Sequence, residues 1–178
     1  MGGLVVRAAR AEDFDAIAAL VNVYIRSTAI HFGYEEQTAE ELLAMCHKGA
    51  ARYPWVVAEV DGAFAGYAKA GVWRERAAYQ WTPECGVYVE GRYHRLGVGR
   101  ALYARLFEVM RGQGFESVIA GITLPNEASV RLHEAMGFVA AGVVRRAGWK
   151  LGRWWDVGFW QKELGVGGRP GEIGMPRG

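Results

Sequence analysis

Apolar positions in the first fifty residues recur with a helical period. Phe14, Ile17, Leu20, Val21 and Tyr24 form one stripe between Asp13 and Tyr24, which predicts an amphipathic helix with an aspartate near its start. A short β-prone run, Leu4 to Arg7, precedes it. Residues 27–39 are mixed and turn-prone. Thr38-Ala39-Glu40-Glu41 has the spacing of a capping box and should open a second helix through about His47. From Trp55 the pattern becomes that of strands. Trp55 to Val60 and Phe64 to Val72 flank Asp61-Gly62, a hairpin turn because both of its positions tolerate positive φ. Arg74 to Pro83 is polar and aromatic, a loop or short helix. Glu84 to Val89 is a further strand, followed by a loop from Glu90 to Gly99.

In the second half Arg100 to Gln113 places Leu102, Leu106, Val109 and Met110 on one helical face, with Gly112 and Gly114 marking its end. Ser117 to Ile122 is apolar enough for a strand buried on both faces. Asn126 to Met136 is a helix stopped by Gly137. Strands follow near Val139 to Ala147 and Asp156 to Leu164, joined by a Gly- and Trp-rich turn. The alternation predicts one α/β (α+β) domain over residues 1–164, a mixed central sheet flanked by helices, and a flexible Gly- and Pro-rich tail over 165–178. No repeat or interdomain linker interrupts it.

A chain of 178 residues suits a single ordinary core. The formal net charge of +2 gives no footprint for a general nucleic-acid or membrane-surface binder, and no apolar run approaches a membrane span. The N-terminal MGGLVVRAARAED lacks the apolar region of a signal peptide. Cys46 and Cys85 are far apart and read as reduced thiols, which suits a cytoplasmic protein. His31, His47 and His94 have no ligand spacing, so no metal is expected. The seven Trp predict large buried or pocket-lining rings.

The segment VYVEGRYHRLGVGRALYARL, residues 87–106, carries the most chemistry. A strand leads into a basic, Gly-rich loop, and the loop opens a helix. A helix N-terminus offers unpaired N–H groups and partial positive charge, and Gly97 and Gly99 permit close backbone approach. With Arg92, Arg95 and Arg100 nearby, the arrangement suits a pyrophosphate. The nucleoside-triphosphate loop requires GK[ST], which is absent. The dinucleotide fingerprint requires a third Gly where Leu102 stands.

His94-Arg95-Leu96-Gly97-Val98-Gly99 resembles the acetyl-CoA loop of the GNAT superfamily, Q/R-x-x-G-x-G/A, with His94 departing at the first position. RYPWVVAEVDG, WRERAAYQWTPE, ITLPNEASVRLHEAMGF and WKLGRWWDVGFWQ resemble the phosphinothricin and methionine-sulfoximine acetyltransferases in the same order, from about Val5 to Leu164. The resemblance implies acetyl transfer from acetyl-CoA to the α-amino group of a small amino-acid-like substrate, a detoxification role, and a homodimer with pockets near the subunit interface. It places Val87, Tyr88 and Val89 along the pantetheine arm, with the Val89 N–H facing the thioester carbonyl. Arg95, Leu96, Gly97, Val98, Gly99 and Arg100 hold the pyrophosphate, and Asn126 bonds the arm. Glu84 falls at the general base and His133 at a general acid. Phe32, Arg74-Glu75-Arg76 and Glu84-Cys85-Gly86 face the substrate.

The chemistry requires these types. An amine attacks only when neutral, so a proton acceptor is needed, directly or through a water. The tetrahedral oxyanion needs a preorganised donor, and an anionic substrate end favours guanidinium. Strand alternation turns Cys85 away from the Glu84 side, against an acyl-cysteine route. Two other readings remain at this point: a different amine acceptor such as a protein N-terminus, polyamine or aminoglycoside, and a non-catalytic acyl-CoA-binding module.

Overall fold

The computed structural model describes residues 3–49 and 52–176. Strand β1 (Leu4–Ala8) is followed by helices α1 (Phe14–Ser27) and α2 (Ala39–Gly49), then β2 (Trp55–Val60), β3 (Ala63–Gly71) and β4 (Glu84–Val89). Helix α3 (Val98–Gln113), β5 (Ser117–Leu124), α4 (Glu127–Ala135), β6 (Val139–Lys150) and β7 (Arg153–Glu163) complete the domain. The strands form one seven-stranded sheet in the order β1-β2-β3-β4-β5-β7-β6. Every neighbouring pair is antiparallel except β4 and β5, which run parallel.

Local chemistry explains the element ends. The capping box forms as expected: Thr38 N–H donates to Glu41 Oε2 (2.8 Å), and Glu41 N–H donates to Thr38 Oγ1 (3.1 Å). Asp61 and Gly62 turn the β2–β3 hairpin at φ +53° and +77°. Helix α3 begins two residues earlier than expected, because Gly97 in the left-handed region already starts it.

The sheet buries two cores, one on each face. On one, Val56, Ala58, Ala68, Ala70 and Cys85 pack against Leu102, Tyr103, Leu106 and Met110 of α3. On the other, Trp55, Val57 and Tyr67 pack against Phe14, Ile17, Val21 and Ile25 of α1 and Leu42 of α2. Strand alternation sorts the residues of β2–β5 to one face or the other, except at the β2–β3 irregularity, where Ala65 joins Ala68 in the same core.

One expectation needs correction. Both β6 and β7 run longer than expected and meet at Leu151-Gly152, so Trp149 and Trp154 lie in the strands and stand about half exposed rather than buried. Several backbone groups of the tail have hydrogen-bond partners. Gly165 N–H donates to Glu116 O (3.0 Å), Trp81 Nε1–H to Gly171 O (2.8 Å), and Gly174 N–H to Gln113 O (2.7 Å).

Candidate active site

Strands β4 and β5 share one register pair, Glu84 with Ile119, joined by Ile119 N–H donating to Pro83 O (2.9 Å). Beyond that point they part. Glu90 N–H donates to Ala65 O, and Tyr88, Gly86 and Glu84 lie opposite Tyr67, Lys69 and Gly71. Antiparallel alternation then makes these the hydrogen-bonded pairs with β3 and turns the backbone groups of Cys85, Val87 and Val89 toward the opening gap. The Tyr88 backbone pairs with β3, and its ring stacks on Tyr67 (5.2 Å) and meets Tyr24 edge-on (5.3 Å).

At the end of β4 the Val89 carbonyl accepts from the Tyr24 hydroxyl (2.9 Å) and from His94 Nε2–H (2.9 Å). His94 thus holds the strand end, which explains how it departs from Gln or Arg without disturbing the loop. Arg95 (φ +63°) and Gly97 (φ +84°) are left-handed and turn the chain into α3. No side chain caps α3, so its first-turn N–H groups are free to receive an anion. Arg95, Leu96 and Arg100 are exposed around them. A Cβ on Gly99 would stand 3.1 Å from Leu132 of α4, so glycine there also lets α3 and α4 pack closely.

A cleft of about 840 Å³ lies on the α1–α2 face of the sheet. Glu84 sits on its floor, with the carboxylate over Gly121 of β5; a Cβ there would be 3.0 Å from Glu84 Oε1. Burial pushes the Glu84 carboxyl above the ordinary carboxylate range, and the charge of Lys69 partly opposes this. Phe32 lines the wall against Gly148, where any Cβ would overlap its ring. Gly86 also lines the floor. Arg74, Glu75 and Arg76 are exposed outside this lining, two to four residues beyond Val72 at the rim; Arg74 stacks on Trp73 (5.4 Å).

A narrow slot of about 60 Å³ continues from the cleft into the β4–β5 gap, bordered by Gly86, Val87, Gly121, Asn126, Tyr103 and His133. Asn126 Oδ1 caps α4 by accepting from Ser129 N–H (3.2 Å). His133 Nδ1 lies 2.7 Å from the Ser129 carbonyl, which can only accept, so Nδ1 carries the proton. Its Nε2 then accepts from the Tyr103 hydroxyl (2.8 Å). Burial lowers the His133 pKa, favouring this neutral form. Cys85 Sγ is 3.7 Å from the same hydroxyl on the α3 side, as alternation requires. Burial raises its pKa to about 12, so it remains a thiol. Sequence reading missed Lys69 and Tyr103. Lysine interrupting an apolar strand was the available signal for the first; Tyr103 looked like any core position of α3.

Among the described residues no His, Cys, Asp or Glu group could hold a metal, and no helix is long and apolar enough to cross a membrane. A splayed strand pair thus ends at an uncapped helix beside a carboxylate-floored cleft.

The family model for the acetyltransferase (GNAT) domain matches residues 6–158, and the chain belongs to that family. It is 50% identical over 159 residues to a phosphinothricin N-acetyltransferase of Streptomyces viridochromogenes, covering 89% of this chain and 87% of the relative. It is 33% identical over 162 residues to an L-methionine sulfoximine/L-methionine sulfone acetyltransferase of Salmonella typhimurium, covering 90% and 95%. The solved GNAT superfamily phosphinothricin acetyltransferase from Sinorhizobium meliloti, in complex with acetyl-CoA, superposes with a TM-score of 0.87 at 31% identity, covering 95% and 94%. The protein is an N-acetyltransferase with acetyl-CoA as cosubstrate.

Proposed function

We propose that the protein acetylates the α-amino group of a small amino-acid-like acceptor, of the phosphinothricin, methionine sulfoximine or methionine sulfone kind, with Glu84 as general base. The observation that carries this reading is the half-buried Glu84 carboxylate on the cleft floor, next to the point where β4 and β5 part. In the proposed step Glu84 takes a proton from the ammonium, directly or through one water. The neutral nitrogen attacks the thioester carbon, and the oxyanion is met by the Val89 N–H in the gap. The C–S bond then breaks, the nitrogen gives up its second proton as the amide forms, the departing thiolate takes up a proton, and CoA leaves as the thiol. A raised carboxyl pKa brings the base nearer the working pH, which favours proton transfer.

Three further assignments belong to this proposal. The free amides at the start of α3, with Arg95 and Arg100, hold the pyrophosphate. Asn126, its Oδ1 engaged in the cap, donates from Nδ2 to the pantetheine arm. His133, neutral and accepting from Tyr103, orients that hydroxyl beside the departing sulfur rather than carrying a mobile proton itself. Arg74 and Arg76, at the rim, meet an anionic side-chain end of the acceptor. We also read β6, an outer strand exposing Val139, Val143 and Val144, as the edge that pairs two copies into a homodimer.

A polyamine or aminoglycoside would favour an acidic cleft, whereas Lys48 and Lys69 line this one. The test is a thiol-release assay with acetyl-CoA against free amino acids, phosphinothricin, methionine sulfoximine, methionine sulfone, a polyamine, an aminoglycoside and a peptide N-terminus. Turnover on the amino-acid group supports the reading. Preference for a cationic amine or a peptide overturns it.

A further inference from the structure

Lys69 is the one cationic side chain that the sheet itself sends into the cleft among the described residues; Lys48 reaches the lining from the exposed end of α2. Lys69 lies opposite Gly86 in the β3–β4 register, with Glu84 one diagonal step away on the same face. Residues in that relation have Cα atoms about 7–8 Å apart and are within reach through long side chains. Gly86 presents no side chain between Glu84 and Tyr88, so the space opposite Lys69 is open. Gly121, lacking a side chain, leaves the room that the Glu84 carboxylate occupies.

The ammonium is held, not loose. Lys69 Nζ stands 4.6 Å from the Trp55 ring centroid and 3.8 Å from Met45 Sδ. Neither is an anion, so the charge keeps room for one in the cleft. Its desolvation is evident in a pKa pushed below the ordinary lysine value by burial. A half-buried ammonium beside an aromatic face gains most from a carboxylate that enters with the substrate. In an α-amino acid the carboxylate and the amine share one carbon. A carboxylate on Lys69 therefore presents the amine toward its diagonal neighbour Glu84.

We propose that Lys69 binds the α-carboxylate of the acceptor and so selects α-amino acids over other amines, while Glu84 accepts the proton from the amine beside it. This rests on the acetyl-transfer reading above and adds the acceptor group that Lys69 recognises. Its charge also acts on the base. The groups facing Lys69 are Glu84 from β4, Cys46 and Lys48 from α2, and His31 from the segment after α1. Of these, Glu84 is the one whose ionisation the reaction uses.

The test compares methionine sulfone with its carboxamide, which keeps the amine and side chain but lacks the anion. Lys69→Met preserves the aliphatic stem against Trp55, and Lys69→Arg preserves the charge. In Lys69→Met the acid-to-amide ratio of kcat/KM should fall about thirtyfold, the scale of one charge-assisted hydrogen bond. The KM for acetyl-CoA should stay within about threefold, which also reports a folded enzyme. Lys69→Arg should recover part of the ratio. The acid limb of the pH profile in Lys69→Met should move to higher pH, because the charge that holds Glu84 down is gone; a merely structural lysine would leave that limb in place. Equal losses on acid and amide, or an unmoved ratio in a protein that still turns over acetyl-CoA, would overturn the anchor. A wild-type enzyme that releases thiol with peptide or polyamine acceptors but with no free amino acid would overturn the underlying reading, and the anchor with it.

Discussion

In the proposed site the acetyl-CoA half is one contiguous run, residues 95–100, which offers the uncapped start of α3 while the side chains of Arg95, Leu96 and Arg100 are exposed. The acceptor half has no such run: Phe32, Lys69, Glu84 and Gly121 come from four separate segments and meet only because the sheet folds. The first half depends on chain conformation, so it tolerates a change such as His94 and keeps its motif. The second depends on particular side chains in a desolvated space, where one displaced atom changes the chemistry. Substitutions in the two halves should therefore differ in size and in the kinetic constant they move.

The largest effect is expected at Glu84. Glu84→Gln keeps the shape and removes the proton acceptor. It should lower kcat/KM for the acceptor by about 100-fold or more, while calorimetric binding of acetyl-CoA changes little. The wild-type acid limb follows from the same group. Burial raises the Glu84 pKa, and the base works only when ionised, so activity should fall with decreasing pH from above the ordinary carboxylate range. Glu84→Gln should lose that limb. Turnover retained in the variant would remove Glu84 from the reaction and leave the acceptor half without its chemistry.

Gly121→Ala is the sharper probe of the cleft, because it leaves the base in place and moves it. The new methyl group meets Glu84 Oε1 at 3.0 Å, so the carboxylate must give by a few tenths of an ångström. We expect kcat to fall about tenfold with the KM for acetyl-CoA nearly unchanged, since small misplacement of a reacting group costs rate rather than affinity. An effect confined to acetyl-CoA binding would mean that Gly121 serves the slot and not the base.

The same contrast explains what the sequence could reveal. Helix and strand periods, the capping box at Thr38 and the turn at Asp61-Gly62 are local, and each holds in the fold. The phosphate loop is local too, and its glycines lie at the start of α3. The sequence could single out Glu84, whose role as base is our proposal, because it begins the strand that leads into that loop. Lys69 was not legible, because its meaning lies in the β3–β4 register, which places it opposite Gly86. Nor was Tyr103, whose helical spacing fits a core residue and whose hydroxyl finds His133 thirty residues away. Arg74 and Arg76 show the converse: a conspicuous charged run in sequence lies outside the cleft lining in the structure. The tail's hydrogen bonds were hidden for a related reason, since their partners are backbone groups at Glu116 and Gln113 and the indole of Trp81.

The smallest effects should fall within the phosphate loop, and there backbone and side chain separate cleanly. Gly97 has φ +84°, so Gly97→Ala puts a Cβ into the left-handed region at a cost of about 1 kcal/mol. That corresponds to about a fivefold rise in the KM for acetyl-CoA, with kcat for a saturating acceptor nearly unchanged. Leu96, one residue earlier, is 64% exposed and belongs to the same turn. If only its amide matters, Leu96→Ala should change that KM by less than about twofold, because alanine keeps the N–H and accepts the same backbone angles. A Leu96→Ala effect as large as that of Gly97→Ala would show the loop gripping its ligand through side chains. It would then work like the cleft, and the division of the site into a backbone half and a side-chain half would fail.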